Sequence, residues 1–182
     1  MRDIDGYTES YLRLAFEDKQ VIYRRRKVLE RIAEYCPKKV LEIGCGMEPL
    51  FSFLPDNIAV TVVEPSKVFC NNAQALAKIQ HKKVRVICGF VEENSEDLSV
   101  DDNYDMIICS GLLHEVENPQ ILLQAIGKLA VKGHTIVHVN VPNANSLHRL
   151  LAVAMGLIDN TAVLSKNNAG PLYNEIEQLI KK

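Results

Sequence analysis

The fold of this chain is decided by the stretch Val40-Leu41-Glu42-Ile43-Gly44-Cys45-Gly46-Met47-Glu48-Pro49-Leu50. An apolar run ends there in a turn in which a single residue separates two glycines, and a short helical pattern follows. Glycine lets the backbone turn tightly and lets a ligand approach the main chain. A buried strand that enters such a turn is typical of the first unit of an open α/β sheet, which binds ligands beyond the carboxyl ends of its strands.

Short β-rich runs alternate with helical patterns along the rest of the chain. The runs cover residues 39–43, 59–64, 84–88, 106–109 and 135–139. Their near-continuous apolar character is typical of parallel strands that are buried on both faces. Because strands that alternate with helices require right-handed crossovers, the pattern predicts an α/β fold with a doubly wound, mostly parallel sheet of about five strands.

Capping residues mark the starts of two helices. Glu64-Pro65-Ser66 opens the first of them. The second begins at Asn118-Pro119, because asparagine can cap a helix and proline fits the first helical position. Gly133 is expected to end this second helix.

The length of 182 residues suits a single domain. Three segments are expected in it, namely a helical N-terminal lid over residues 1–36, a ligand-binding core over 37–141 and a helical C-terminal segment over 142–182. The lid region carries Tyr7, Tyr11 and Phe16. These aromatic side chains either close over the ligand and exclude water, or attach a loose N-terminus to the core.

Composition and charge argue against several kinds of partner. Hydrophobic residues make up 47% and charged residues 24% of the chain, as in soluble globular domains. The formal net charge of -2 gives no general attraction for nucleic acid. No apolar run approaches the roughly 20 residues that span a bilayer. The polar, acidic N-terminus is unlike a secretory signal, so we expect a cytoplasmic protein.

The five cysteines are widely spaced along the chain. None of them forms the Cys-x-x-Cys pattern of a zinc or redox site, so we expect no metal. Cysteine at the end of an apolar run behaves as a small hydrophobic residue. The expectation is therefore reduced, buried thiols.

The residues around the glycine turn discriminate between two classes of ligand. A dinucleotide-binding turn has the pattern Gly-x-Gly-x-x-Gly, and Pro49 stands at its third glycine position here. Glu42 suits a ligand that carries an ammonium group. Glu64, about twenty residues downstream at the end of the second run, can accept both hydroxyls of a ribose. An NAD-dependent oxidoreductase fits the fold class, but Pro49 and Glu42 disfavour it.

Over roughly residues 20–160, the sequence resembles the class I S-adenosylmethionine-dependent methyltransferases. The likeness lies in five segments, at residues 41–46, 62–66, 86–92, 104–116 and 132–137. It implies a Rossmann-like fold and transfer of the methyl group of S-adenosylmethionine to a small-molecule acceptor, with S-adenosylhomocysteine as product. The residues that would bind the cofactor are Glu42, Gly44, Cys45, Gly46, Glu64, Pro65, Phe90, Val91, Ser110 and Gly111.

The candidate general base is His114, which follows the fourth strand near the expected position of the methyl group. Histidine ordinarily titrates near neutral pH, as such a base requires. Glu115 is a second candidate, and the alternative for His114 is a hydrogen bond to the backbone of its loop. The stretch over residues 141–148 is similar to the ubiquinone-biosynthesis-like group, some of whose members methylate sugars or surface-polysaccharide intermediates.

Three features depart from the family pattern. Glu48 stands where a third glycine is frequent, so it must point away from the methionine carboxylate or pair with a cation. Phe90 replaces an acidic residue that often holds adenine, so it can only pack on the ring or offer its backbone N–H. No β-rich run follows the fifth one, although the family sheet normally ends in a hairpin.

The missing hairpin leaves an edge strand that a partner subunit must cover, for which a homodimer is the candidate. The same departure keeps a second function open, that of a non-catalytic cofactor-binding or partner subunit.

Overall fold

The computed structural model describes residues 4–12, 17–99, 103–141, 143 and 147–156. The helices in this part are α1 (Ile4–Leu12), α2 (Glu17–Tyr35), α3 (Lys67–Ile79), α4 (Ser95–Ser99), α5 (Pro119–Leu129) and α6 (Leu147–Ala154). The strands are β1 (Lys39–Ile43), β2 (Ala59–Glu64), β3 (Val84–Cys88), β4 (Met106–Ser110) and β5 (Ile136–Asn140). A short 3₁₀ helix, Leu50–Phe53, follows the glycine turn.

The five strands form one parallel sheet in the order β3-β2-β1-β4-β5. The central strand pairs on both sides, since Val40 lies opposite Val60 of β2 and opposite Met106 of β4. The chain moves outward from β1 to β3 and then returns to place β4 on the other side of β1. The strand order therefore reverses between β1 and β4, and ligands of open α/β sheets bind at such a point. The predicted fold class is confirmed.

The core consists of two apolar clusters, one on each face of the sheet. Leu41 and Ile107 belong to the cluster that α5 covers. Val40 and Met106, their neighbours along the same strands, belong to the cluster that α2 and α3 cover. Successive side chains of a strand point to opposite faces, so both faces of β1 and β4 need this cover. This explains why the sequence of these strands is apolar without a break.

The predicted capping residues occupy their expected places. The Ser66 hydroxyl accepts a hydrogen bond from the N–H of Phe69 at the start of α3. Asn118 caps α5, in which Pro119 is the first residue. The prediction that Gly133 ends this helix is wrong, because α5 ends at Leu129 and Gly133 lies in the turn that leads to β5.

The expectation of five reduced thiols is wrong for Cys70 and Cys88, which are joined by a disulfide. Their Cα atoms are 5.9 Å apart, within the range that a disulfide spans. The pair is 18 residues apart in sequence and meets because α3 packs back against β3. The free cysteines among the described residues are Cys36, Cys45 and Cys109.

The far edge of the sheet is open in the described part of the chain, where β5 pairs with β4 alone. Large apolar side chains are exposed on the helix α6 that follows and just after it, with Leu147 72% exposed and Met155 70% exposed. The helical pattern expected at residues 172–180 lies outside the described residues, as do the side chains of Tyr7, Tyr11 and Phe16. No helix of the described ranges is long and apolar enough to cross a membrane.

Candidate functional site

The glycine turn after β1 depends on backbone conformations that glycine adopts freely. Gly44 has a φ of +75° and Gly46 a φ of +56°. The Gly44 N–H donates to the Val63 carbonyl at 2.9 Å, which fixes the turn against β2. A Cβ atom at Gly44 would lie 3.2 Å from Cδ2 of Leu112, in the loop after β4. The turn is therefore held closely between the ends of β2 and β4.

Glu64 ties this turn to the end of β2. Its Oε2 accepts the N–H groups of Cys45 at 3.0 Å and Gly46 at 3.3 Å, and its Oε1 accepts the N–H of Ser66 at 2.9 Å. The residue is 4% exposed. Burial raises the pKa of the Glu64 carboxyl, and the three N–H donors offset part of that rise.

Glu42 is a second buried carboxyl beside the same turn, with 8% of its surface exposed. Both of its oxygens accept the N–H of Leu50, at 3.1 and 2.9 Å. Burial raises the pKa of Glu42 to about 8, and the nearby Glu64 charge adds to the rise against the lowering by the Leu50 N–H. A cation placed beside Glu42 would favour its ionised form.

A first cavity of about 300 Å³ lies between α2 and the glycine turn. Eight of the ten predicted cofactor residues line this cavity, and both buried carboxyls belong to its wall. The residues from the prediction are Glu42, Gly44, Cys45, Gly46, Glu64, Pro65, Ser110 and Gly111, of which Gly44 and Pro65 also line a second cavity. The other wall comes from α2, where Val21, Arg24, Arg25 and Val28 recur at helical spacing.

A second cavity of about 290 Å³ adjoins the first. Phe90 and Val91, in the loop after β3, line it together with mostly apolar residues. The two cavities share Gly44, Pro65, Leu112 and Glu115 in their walls. The site is therefore a pair of neighbouring compartments, one with carboxyls and one apolar, that meet above the first glycine.

The charge of Glu48 is paired, as its position in the turn requires. Its carboxylate lies 2.5 Å from Nη1 of Arg25, whose guanidinium also stacks 3.8 Å from the centre of the Phe53 ring. Arg24, one residue earlier on α2, lies against the loop after β4, where a Cβ at Gly111 would be 3.0 Å from its Nη1. Both arginines thus place positive charge at the wall of the first cavity.

The loop after β4 places Glu115, and not His114, at the two cavities. Glu115 lines both of them. His114 lines neither, and its side chain is 14% exposed. The His114 Nε2 lies 2.9 Å from the Glu115 Oε1, while its Nδ1 is buried without a hydrogen-bond partner in the part of the chain that the structure describes. The imidazole is therefore placed to orient the carboxylate.

All ten residues predicted to bind the cofactor thus line one cavity or the other, while the predicted base His114 lies behind Glu115. The sequence places α2 within the expected lid over residues 1–36 without identifying which of its residues line the cavity, and it does not identify Leu112. A helical period in the sequence does not say which neighbour each face of the helix meets. Within the described ranges, no group of three or more potential ligands could hold a metal ion.

Comparisons with known proteins bear on the family and the fold of the chain. A family model described as a methyltransferase domain matches residues 17–175. The thiol S-methyltransferase TMT1B of Rattus norvegicus is 27% identical over 58% of this chain and 45% of its own length. The human thiol S-methyltransferase TMT1A is 22% identical over 64% of this chain and 49% of its own length. The chain therefore spans about half the length of these curated relatives.

Two solved structures share the fold. The N-methyltransferase NodS from Bradyrhizobium japonicum WM9, in complex with S-adenosyl-l-homocysteine, aligns with a TM-score of 0.59 and 14% identity over 75% of this chain and 72% of that chain. A putative caffeoyl-CoA O-methyltransferase from Staphylococcus aureus aligns with a TM-score of 0.53 and 19% identity over 100% of this chain and 78% of that chain. Together with the family model, which covers most of the sequence, these likenesses confirm the resemblance first read from the motifs. The chain belongs to the methyltransferase domain family.

Proposed function

We propose that this protein binds S-adenosylmethionine across the two adjoining cavities and transfers its methyl group to a small-molecule acceptor. The observation that carries the proposal is the convergence of all ten predicted cofactor residues on these two compartments. The family match and the fold shared with methyltransferases support the same activity.

The cofactor is assigned to the cavities by their chemistry. The apolar second cavity suits adenine, which packs against Phe90 and Val91. Glu64, which lines the first cavity next to the shared residue Pro65, accepts the ribose hydroxyls with lone pairs that its three N–H donors leave available. Glu42 faces the ammonium of the methionine end, where a positive charge relieves the cost of its burial. Arg24 or Arg25 on the opposite wall can meet the methionine carboxylate.

The acceptor enters the first cavity beyond Ser110 and Gly111. Its nucleophilic atom attacks the methyl carbon while the bond from that carbon to sulfur breaks, which leaves neutral S-adenosylhomocysteine. We assign the acceptor's proton to the Glu115 carboxylate, since Glu115 lines both cavities, and from there to water. His114 is then a positioning residue, because its Nε2–H donates to Glu115 and holds the carboxylate in place.

The acceptor class that we propose is a thiol. The curated relatives are thiol S-methyltransferases, whereas the sugar or polysaccharide intermediate expected from residues 141–148 has no such support. Enclosure of the sulfonium between α2 and the loop after β4 supplies mainly orientation, which can lower a barrier by about 7 kcal/mol or more.

We further propose that a second copy of the chain covers the open edge of β5 and the apolar residues of α6. An edge strand with unpaired backbone groups and a neighbouring exposed apolar helix need such cover. Sedimentation of the purified protein tests this, since a monomer at micromolar concentration would contradict it.

The cytoplasmic location stays a prediction.

Calorimetric titration with S-adenosylhomocysteine and, separately, with NAD tests the cofactor assignment. We expect S-adenosylhomocysteine to bind and NAD to give no heat of binding. Tight binding of NAD instead would refute the proposed cofactor. A labelled-methyl assay with small aliphatic thiols and with sugars as acceptors then separates an enzyme from a non-catalytic binding subunit.

A matched pair of variants tests the role of the loop after β4. Glu115→Gln is expected to lower turnover about a hundredfold or more while S-adenosylhomocysteine affinity stays close to that of the unmodified protein. His114→Gln is expected to have a smaller effect, because the glutamine amide can reach the position of Nε2 and still donate to the carboxylate. If His114→Gln abolished turnover and Glu115→Gln did not, the base would be His114 after all.

A further inference from the structure

A pair of cysteines lies next to the second cavity, since Cys88 directly precedes its lining residue Gly89, and the pair has no part in the proposed methyl transfer. Cys70 belongs to the first turn of α3 and is fully buried, whereas Cys88 is the last residue of β3 and is exposed. Their Cα atoms are 5.9 Å apart and their sulfur atoms are joined. One partner of this disulfide is thus open to reagents in solution and the other is protected.

We propose that Cys70 and Cys88 are a reversible thiol–disulfide pair that exchanges with small disulfides of the glutathione type and sets the affinity of the adjoining cavity for the cofactor. The second half of this statement rests on the proposed binding of S-adenosylmethionine. The first half depends only on the two cysteines.

The exchange is balanced with glutathione disulfide as the oxidant. The thiolate of Cys88, the exposed partner, attacks one sulfur of glutathione disulfide and releases one glutathione, which forms a mixed disulfide. The thiolate of Cys70 then attacks the Cys88 sulfur and releases the second glutathione. Two protons leave the protein thiols, one disulfide bond breaks and one forms. Excess reduced glutathione drives the same steps backwards.

The position of the pair connects it with the cavity wall. Cys88 lies opposite Glu64 in the register of β2 and β3, and the next residue, Gly89, donates its N–H to the Glu64 carbonyl at 3.0 Å. Gly89 begins the loop through Phe90 and Val91 that lines the second cavity. The start of this loop is therefore tied to β2 by backbone hydrogen bonds and to α3 by the disulfide.

β3 is an edge strand of the sheet in the described part of the chain, so its end has neighbours on one side only. The disulfide anchors that end to α3, the helix whose first turn packs beside Glu64 and whose Phe69 lines the first cavity. Opening the disulfide removes the covalent link between the two walls of the cofactor site. Because binding to an already ordered loop costs less conformational entropy, we expect the oxidised form to bind S-adenosylhomocysteine about three- to tenfold more tightly.

The chemical half of the proposal is tested in a Cys36→Ser background, which removes the exposed free cysteine. After equilibration with glutathione disulfide, thiols are counted in denaturant and adducts are checked by mass spectrometry. We expect four thiols after reduction and two after oxidation, without bound glutathione. The matched variant that also carries Cys88→Ser should keep three thiols in both conditions. Four thiols in the oxidised sample of the Cys36→Ser protein would overturn the proposed pair.

The functional half is tested by titrating S-adenosylhomocysteine into the oxidised and the reduced Cys36→Ser protein. A three- to tenfold difference in favour of the oxidised form is expected, and it should vanish in the Cys88→Ser variant. Equal affinities in the two forms would overturn the link between the disulfide and the cavity. If S-adenosylhomocysteine binds neither form while the thiol counts change as expected, the cofactor assignment fails and the thiol pair stands.

Discussion

The carboxyl of Glu42 makes the stability of the ligand-free protein depend on pH in an unusual direction. The pKa of a glutamate side chain in a folded protein is usually close to or below its value in the unfolded chain. Burial and the neighbouring Glu64 charge instead raise the pKa of Glu42 to about 8. Between its ordinary value of 4.5 and about 8, the folded protein holds a proton that the unfolded chain has released. The stabilising contribution is complete below pH 4.5 and is lost as the pH rises toward 8. A variant without this carboxyl should therefore not lose this part of its free energy of unfolding as the pH rises.

The substitution that tests this is Glu42→Gln, which keeps a carbonyl oxygen for the N–H of Leu50. Within the interval between the two pKa values, each pH unit costs the folded state about 1.4 kcal/mol. Between pH 6 and pH 8 the slope declines as Glu42 begins to ionise, so its share of the loss is about 2 kcal/mol. Glu64 contributes in the same direction in both proteins, so its effect largely cancels in the comparison.

Urea denaturation at pH 6 and pH 8 measures the effect in the absence of cofactor. The free energy of unfolding of the unmodified protein should fall between these pH values by about 2 kcal/mol more than that of Glu42→Gln. Glu93→Gln, which changes an exposed glutamate, is the control and should follow the unmodified protein. Parallel pH dependences for Glu42→Gln and the unmodified protein would refute the reasoning, because they would mean that Glu42 is ionised at both pH values.

Three further predictions concern the same site. Glu64→Gln should weaken S-adenosylhomocysteine binding by about 1.5–3 kcal/mol in calorimetry, because one charged acceptor for the ribose is lost; unchanged affinity would contradict its assignment. Gly44→Ala should lower the free energy of unfolding by about 1–2 kcal/mol and also weaken cofactor binding, since a Cβ there meets Leu112 at 3.2 Å in a left-handed backbone. Gly133→Ala, with a φ of +77° and open space around it, should share the stability loss and leave binding unchanged. Binding of S-adenosylhomocysteine at pH 7 should release up to about nine-tenths of a proton, because the ligand ammonium favours the ionised form of Glu42. Calorimetry in buffers of different ionisation enthalpy measures this proton release, and Glu42→Gln should abolish it.

The parts of the fold that the sequence predicts are those that depend on local pattern. The bounds of β1, β2 and β3 follow from continuous apolar runs, whereas β4 and β5 each end one residue later than predicted. The starts of α3 and α5 follow from Ser66 and Asn118, whose side chains cap the helix that comes directly after them. The end of α5 was predicted one turn too late, at Gly133, because a glycine in the turn before β5 has the same appearance as a helix terminator.

The contacts that the sequence does not predict join residues that are distant along the chain. Cys70 and Cys88 meet only after α3 has packed on β3. Arg25 neutralises Glu48 only because α2 crosses the glycine turn, 23 residues away. His114 and Glu115 are neighbours, yet their order in the sequence does not say which side chain enters the cavities. The motifs of the family resemblance therefore predict residues that line the two cavities, but not the partners of those residues.

The two buried carboxyls lower the stability of the folded protein as long as no cationic ligand is bound. Glu42 and Glu64 both have raised pKa values because burial disfavours their charged forms. Backbone N–H donors offset part of that cost, from the glycine turn for Glu64 and from Leu50 for Glu42. A protein selected for stability alone would place apolar residues there. A ligand with an ammonium and a sulfonium group makes the ionised carboxyls favourable, because opposite charges attract strongly in a site of low dielectric. The same burial that weakens the free protein above neutral pH therefore strengthens its preference for a cationic cofactor over an anionic pyrophosphate.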